Sequence, residues 1–490
     1  MSSSFLLFIF PVYALFLFLI SWFTSRKAND TTFYVGNRQS PWFVVAYGMI
    51  GASLSGVTFL SQPGWVGNTQ FSYMMMVLGY VTGYAVIALI LLPLYYRLNL
   101  TSIYTYLEQR FGNFTYKTGA SFFILSRGVG AALRLFLSVY VLDMFVFGPL
   151  GIPFWLVALI SILLVLLYSF KGGIRTIVWT DLLQTTFMLL SVGITIYLIC
   201  KSLGWSFTEM LSNVRSSDYS TMMVTDWTDR RFFLKQFMSG IFITIAMTGL
   251  DQDMMQKNLS CRNLRDAQKN MFTFSGILVA VNLMFLLLGA MLYFYAEANQ
   301  MVVTSSDSLF ATVSIHYLGV FAGIVFLTGL IAAAYSSADS ALTALTTSFC
   351  IDIIGLDKRR LPDRRKRYIR YAIHFSFALL FLLFIIHFKQ LDNKAIIDRF
   401  FTIAGYTYGP LLGLYSFGLF TRWKVRDRAV PAIAIVSPLL TYILDSNSVE
   451  WFNGYQFGFE LLVVNGLICF LGLWVFRVSA PKISQTSNTV

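Results

Sequence analysis

Runs of roughly twenty apolar residues, parted by short polar breaks, recur from Phe5 to Phe476, and each can cross a hydrocarbon core about 30 Å thick as a helix. In lipid the backbone must bond to itself, so such a chain reads as a bundle of membrane-spanning helices. Only 12% of the 490 residues are charged, against about a quarter in soluble domains, and mean hydropathy is +0.68. No polar stretch is long enough to fold alone; the longest lies at 201–233. The whole chain, 1–490, is expected to form one membrane domain.

The breaks place about thirteen spans, at 4–23, 41–69, 70–98, 115–147, 152–170, 177–200, 234–256, 270–297, 313–352, 370–389, 396–421, 428–446 and 457–477. No basic stretch precedes the first run, and Arg26 and Lys27 follow it, so it reads as a retained span and not a cleaved leader. With charges at span ends counted to the adjoining loop, 26 of the 36 lysines and arginines belong to the odd-numbered loops and the C-terminal tail and 8 to the even-numbered loops, which leaves Arg127 and Arg134 well inside a span. The positive-inside rule then puts the N-terminus outside and the C-terminus in the cytoplasm of a cell-membrane protein. The formal charge of +13 thereby records topology and asks for no nucleic-acid partner. The densest run, from Lys358 to Arg367, is an orientation anchor or a lipid headgroup contact. Cys200, Cys261, Cys350 and Cys469 lie far apart with no C-x-x-C spacing, as packing residues do.

Two spans carry interruptions. The second holds Gly-Ala-Ser-Leu-Ser-Gly at 51–56 and Pro63-Gly64 beyond; the seventh holds Gly240, Thr244, Thr248 and Gly249. Broken segments in corresponding positions of two halves point to a secondary-transporter site, whereas the same glycines also suit close helix packing. An offset of five spans inverts the second unit relative to the first.

The ninth span places Ala333, Ser336, Ser337 and Ser340 on one helical face. Hydroxyls and freed carbonyls make a neutral oxygen site suited to a hard monovalent cation, with no His or Cys to hold a transition metal; the alternative is serine bonding to its own helix. Asp181 and Asp339 lie within spans, where a carboxylate needs a cation, a proton or a partner. Arg127 and Arg134 share a face of the fourth span, as members of ion pairs or as anchors for a substrate carboxylate. Asp251 and Asp253 read as a solvated helix end, and His316, His374 and His387 are assigned no chemistry.

At these residues the chain resembles the sodium/solute symporter family, which includes sodium-coupled sugar, proline and sialic acid transporters. Segments 51–64, 100–112 (LTSIYTYLEQRFG), 172–184 (GGIRTIVWTDLLQ) and 332–352 (AAAYSSADSALTALTTSFCID) carry the resemblance, supported by 251–268 and 405–420. It implies an all-α membrane protein of the LeuT type. Two five-helix inverted repeats would occupy 41–200 and 234–421, with one extra helix at 4–23 and two at 428–477. It implies a sodium site made by carbonyls of Gly51, Leu54 and Ala333 with the hydroxyls of Ser336 and Ser337. A second cation site, present in some members, falls on Asp181, Ser336, Asp339 and Ser340. Substrate positions fall on Ser53, Ser55, Thr58, Tyr73, Val77, Thr244 and Met247, to which the residue pattern adds Arg134. Met247 stands where sugar transporters carry a gating tyrosine, so a glucose-transporter copy is not expected.

The function expected is sodium-coupled symport of a small organic solute by alternating access, with sodium as co-transported ion, no cofactor and no other metal. Proton coupling through Asp181 and Asp339 is the alternative. A solute sensor is less favoured because no signalling domain follows the last span, and an enzyme because no nucleophile, base and orienter occur together.

Overall fold

The computed structural model describes residues 9–26, 28–390 and 396–478, and the chain there is mostly helical. Residues 4–8 of the first apolar run and the tail that carries Lys482 lie outside the described residues. The principal helices are α1 (Ile9–Ser25), α2 (Trp42–Ser53), α3 (Gly56–Thr69), α4 (Tyr73–Val86), α5 (Asn113–Leu142), α6 (Phe154–Ser169), α7 (Ile174–Leu203) and α8 (Phe233–Thr244). They continue with α9 (Gln252–Leu259), α10 (Leu264–Ala298), α11 (Val320–Ser348), α12 (Asp363–Gln390), α13 (Ile396–Phe420), α14 (Val430–Ser446) and α15 (Leu461–Val475). Helix overlies each apolar run of the sequence. By length and apolarity, seven described helices can cross a bilayer, or eight if the bent pair of α8 and α9 forms one span.

The centre of the bundle is α11, in which every residue from 329 to 348 is buried. Its Ala, Ser and Thr side chains are small enough for α2, α3, α5, α7, α9 and α12 all to pack on it. A helix polar on one face and shielded all round puts its hydroxyls against protein and not lipid.

Both expected interruptions are present, but they differ. Between α2 and α3 the chain leaves helical geometry at Leu54 and Ser55. The Leu54 amide still donates to the Ile50 carbonyl at 2.9 Å, so the ladder opens after it. In the second, α8 loosens into a π turn over Ile245–Gly249, and α9 restarts with its axis turned by 66°. Asp251 caps α9, its Oδ1 accepting from the amides of Asp253 (2.9 Å) and Met254 (3.2 Å). The Gly249 and Leu250 carbonyls freed by the bend accept from the hydroxyls of Tyr95 and Tyr104, each at 2.9 Å, which is how broken backbone is tolerated at membrane depth. Gly240 takes no part in this break. It lets α8 cross close to α4, where a methyl carbon on Gly79 would lie 3.1 Å from the Gly240 Cα.

Candidate functional site

The break between α2 and α3 opens onto a cavity. Ser53, Leu54 and Ser55 line it, with Thr58 from α3, Tyr73, Tyr80 and Tyr84 from α4, and Arg127 and Arg134 from α5. Thr244, Met247 and Thr248 close the side formed by α8 and its π turn, and Asn282 of α10 adds an amide. Seven of the eight expected substrate positions are therefore brought together. Val77 is the exception: it is fully buried and off the lining. The Tyr73 and Tyr80 hydroxyls meet at 2.9 Å and bridge two helical turns over the one that carries Val77, so aromatic rings face the cavity in its place. Tyr80, Tyr84, Thr248 and Asn282 were not singled out from sequence; helical spacing from Tyr73 was the available signal for the two tyrosines.

Below the arginines lies a buried ion network. Arg127 pairs with Asp253 and stands 3.9 Å from Asp251, while the Tyr408 hydroxyl of α13 donates to Asp251 at 2.5 Å. The expectation of a solvated end at Asp251 and Asp253 is thus corrected: they are 0% and 1% exposed. The bend after Gly249 turns α9 inward, which a linear hydropathy reading does not register. Asp143, too far along α5 to pair with Arg134, meets Lys389 at 3.1 Å. His374 is buried between the hydroxyls of Ser169 (3.1 Å) and Thr346 (2.8 Å), linking helices.

The expected cation positions converge on α2, α7 and α11. The Gly51 amide donates to Thr185 Oγ1 at 3.1 Å, and a methyl carbon on Gly51 would lie 3.2 Å from Ser336 Oγ. Leu54 sits in the break, and Ala333 is buried one turn before Ser336 and Ser337. Ser336 donates to Asp181 Oδ1 at 2.5 Å. On the other side of Asp339, Tyr168 donates to Oδ2 at 2.7 Å. The buried oxygens Ser337 Oγ, Asp339 Oδ1 and Ser340 Oγ have no hydrogen-bond partner. Buried polar atoms without partners are few in folded proteins and fit a bound ion or water.

One member of this cluster was read from sequence as a cytoplasmic loop charge. Lys257 of α9 is 1% exposed, and its ammonium lies 2.6 Å from Asp181 Oδ2. Thr185, Tyr168 and Lys257 carry no motif that marks them, and only the packing of α6, α7, α9 and α11 brings them here.

Gly51 tests how tightly α2 seats on this cluster. An alanine there would push its methyl into Thr185 Oγ1 and crowd Ser336, an overpacking that costs about 1–3 kcal/mol. A lower unfolding temperature for Gly51→Ala is expected in a thermal melt; wild-type stability would show that α2 and α7 part without cost.

The model of the sodium:solute symporter family matches residues 33–428 of this chain. The sodium/sialic acid symporter of Aliivibrio fischeri is 24% identical across 95% of this chain and 92% of its own length. That of Proteus mirabilis is 25% identical across 84% of each. The human sodium/iodide cotransporter is 23% identical across 81% of this chain and 61% of its own length. Among solved structures, a substrate-bound, outward-open sodium-coupled sialic acid symporter superposes with a TM-score of 0.82 at 19% identity, covering 96% of this chain and 97% of that one. A closed nucleobase-cation-symport-1 transporter gives 0.55 at 14%, covering 91% and 94%. At such identities the likeness shows the fold, which is that of LeuT-type transporters.

Proposed function

Because this chain belongs to the sodium:solute symporter family, we propose that it imports a small organic acid together with sodium by alternating access. The observation that carries this is the juxtaposition of a broken helix, a cavity with two arginines, and partnerless oxygens on the facing helix. Sodium binds to carbonyls of Gly51, Leu54 and Ala333 and the hydroxyls of Ser336 and Ser337. It ties α2 to α11 and favours an outward-open state. The solute carboxylate then docks on Arg134, whose planar fork matches it. Its hydroxyls meet Ser53, Ser55, Thr58, Tyr73, Thr244 and Asn282. Sialic acid, named for two relatives, has the required chemistry. Closure over both ligands leads to an inward-open state, and inward movement of each sodium draws about 2.3 kcal/mol per 100 mV from the membrane potential.

The same reading has thirteen spans: ten in two inverted repeats, 41–200 and 234–421, one ahead of them at 4–23 and two after them at 428–477. The N-terminus lies outside and the C-terminus in the cytoplasm.

In proteoliposomes, Ser337→Ala should weaken the sodium dependence of uptake about tenfold, the loss of one oxygen ligand worth about 1.4 kcal/mol. An unchanged sodium dependence would remove Ser337 from the ion site. The partnerless Asp339 Oδ1 favours one second reading, in which a proton is the coupling ion. Replacing external sodium by choline at fixed pH separates the two: uptake stops under sodium coupling and continues under proton coupling.

A further inference from the structure

A carboxylate inside a membrane bundle has to be neutralised in every conformation the protein visits. Among the described residues two such acids, Asp181 and Asp339, 1% and 0% exposed, lie in the cluster of α7 and α11 that holds Ser336, Ser337 and Ser340. Asp181 already has its counter-charge. Lys257 donates to Oδ2 at 2.6 Å and Ser336 to Oδ1 at 2.5 Å, while Gly48 of α2 packs against the Asp181 Cβ. Asp339 has no counter-charge in contact: the Tyr168 hydroxyl donates to Oδ2, and Oδ1 has no hydrogen-bond partner. One ammonium thus serves two buried acids, and it serves one of them directly.

We propose that the Lys257 ammonium is a tethered cation standing in for a mobile one at Asp181, so that this chain binds one sodium ion fewer than its buried carboxylates would otherwise demand. The ammonium is a compact point charge on a flexible stem, comparable in its demand for oxygen ligands to a hard monovalent ion. It is supplied by α9, the half of the broken pair that bends by 66°. The charge on Asp181 is therefore met by the protein itself, and no ion has to be taken from outside to meet it. Asp339, together with the partnerless hydroxyl of Ser340, remains for a mobile cation.

The inference rests on the proposed sodium coupling, and one experiment separates their fates. Equilibrium binding of radioactive sodium to the purified protein, with choline as the control salt, counts ions per chain. No sodium bound to the wild type would defeat the sodium-coupled reading itself. Given binding to the wild type, Lys257→Met, which keeps the length of the side chain and removes its charge, should bind one more sodium ion and gain a larger sodium-dependent rise in melting temperature. The same count in both proteins would overturn the proposal alone. If Lys257→Met does not fold, Lys257→Met combined with Asp181→Asn should fold and return the wild-type count, because the acid no longer needs a cation. Failure of that double variant to fold would assign Lys257 to shape and not to charge, and the proposal would fall.

Discussion

Replacing Arg134 by alanine is expected to cut sodium-driven uptake of the proposed organic-acid solute, with sialic acid as the first probe, by a factor of about 100 or more. Truncating one partner of a desolvated, hydrogen-bonded charge pair costs about 2–5 kcal/mol, and every 1.4 kcal/mol is about a factor of ten. Arg134 lines the cavity from α5, and Thr244 and Met247 line it from α8 and its π turn. Its fork can hold both oxygens of a carboxylate, which lysine does not reproduce, so Arg134→Lys should recover only a small part of the activity. The proposed ion site lies on α2 and α11 and uses none of this side chain. Stabilisation of Arg134→Ala by sodium in a thermal melt should therefore stay near that of the wild type. Two results would count against the anchor: uptake that survives the substitution, or a neutral hexose that competes as well as the acid does.

Arg127→Ala should be the most destabilising single change in the cavity wall. It would leave Asp251 and Asp253, both fully buried, without the guanidinium that faces them, and breaking a buried pair from one side costs about 3–5 kcal/mol. The network joins α5, α9 and α13 through Tyr408, so its loss loosens three helices where they meet beneath the cavity. Combining Arg127→Gln with Asp253→Asn should restore part of the stability, since the pair in direct contact is then neutral and able to hydrogen-bond, while Asp251 keeps the Tyr408 hydroxyl and the amides of residues 253 and 254. Melting curves of the single and double variants decide it. Equal stability of Arg127→Ala and the wild type, or a double variant no better than the single, would show that the pair is not what holds these helices.

The same residues show how far the sequence could be read. Apolar runs specify helices because lipid forbids unbonded backbone, and that constraint is local, so the position of each helix followed from the order of residues alone. The break at 54–55 was also legible, since the glycines and serines of Gly-Ala-Ser-Leu-Ser-Gly free the backbone and compete for its hydrogen bonds. Glycine by itself was ambiguous: at Gly240 it serves a close crossing with α4, while the bend comes ten residues later at Leu250. Helical periodicity gave the shared face of Ser336, Ser337 and Ser340, but Val77 shows its limit. A residue one turn from Tyr73 is fully buried and off the cavity lining, which Tyr73, Tyr80 and Tyr84 supply from the same helix.

What the sequence determined by itself was the solvent. Length, apolar spacing and scarcity of charge made this a helical membrane protein, and six segments between residues 51 and 420 tied it to a transporter family. What only the tertiary structure decided was the partner of each buried charge. Asp251, Asp253 and Lys257 follow an apolar run and look, in one dimension, like the wet end of a helix. The 66° turn into α9 carries all three back into the protein, where Arg127 meets the two acids and Asp181 meets the lysine. Hydropathy is a sum over neighbours in sequence, whereas the energy of a buried charge depends on neighbours in space at a low dielectric, and those are set by how the helices pack.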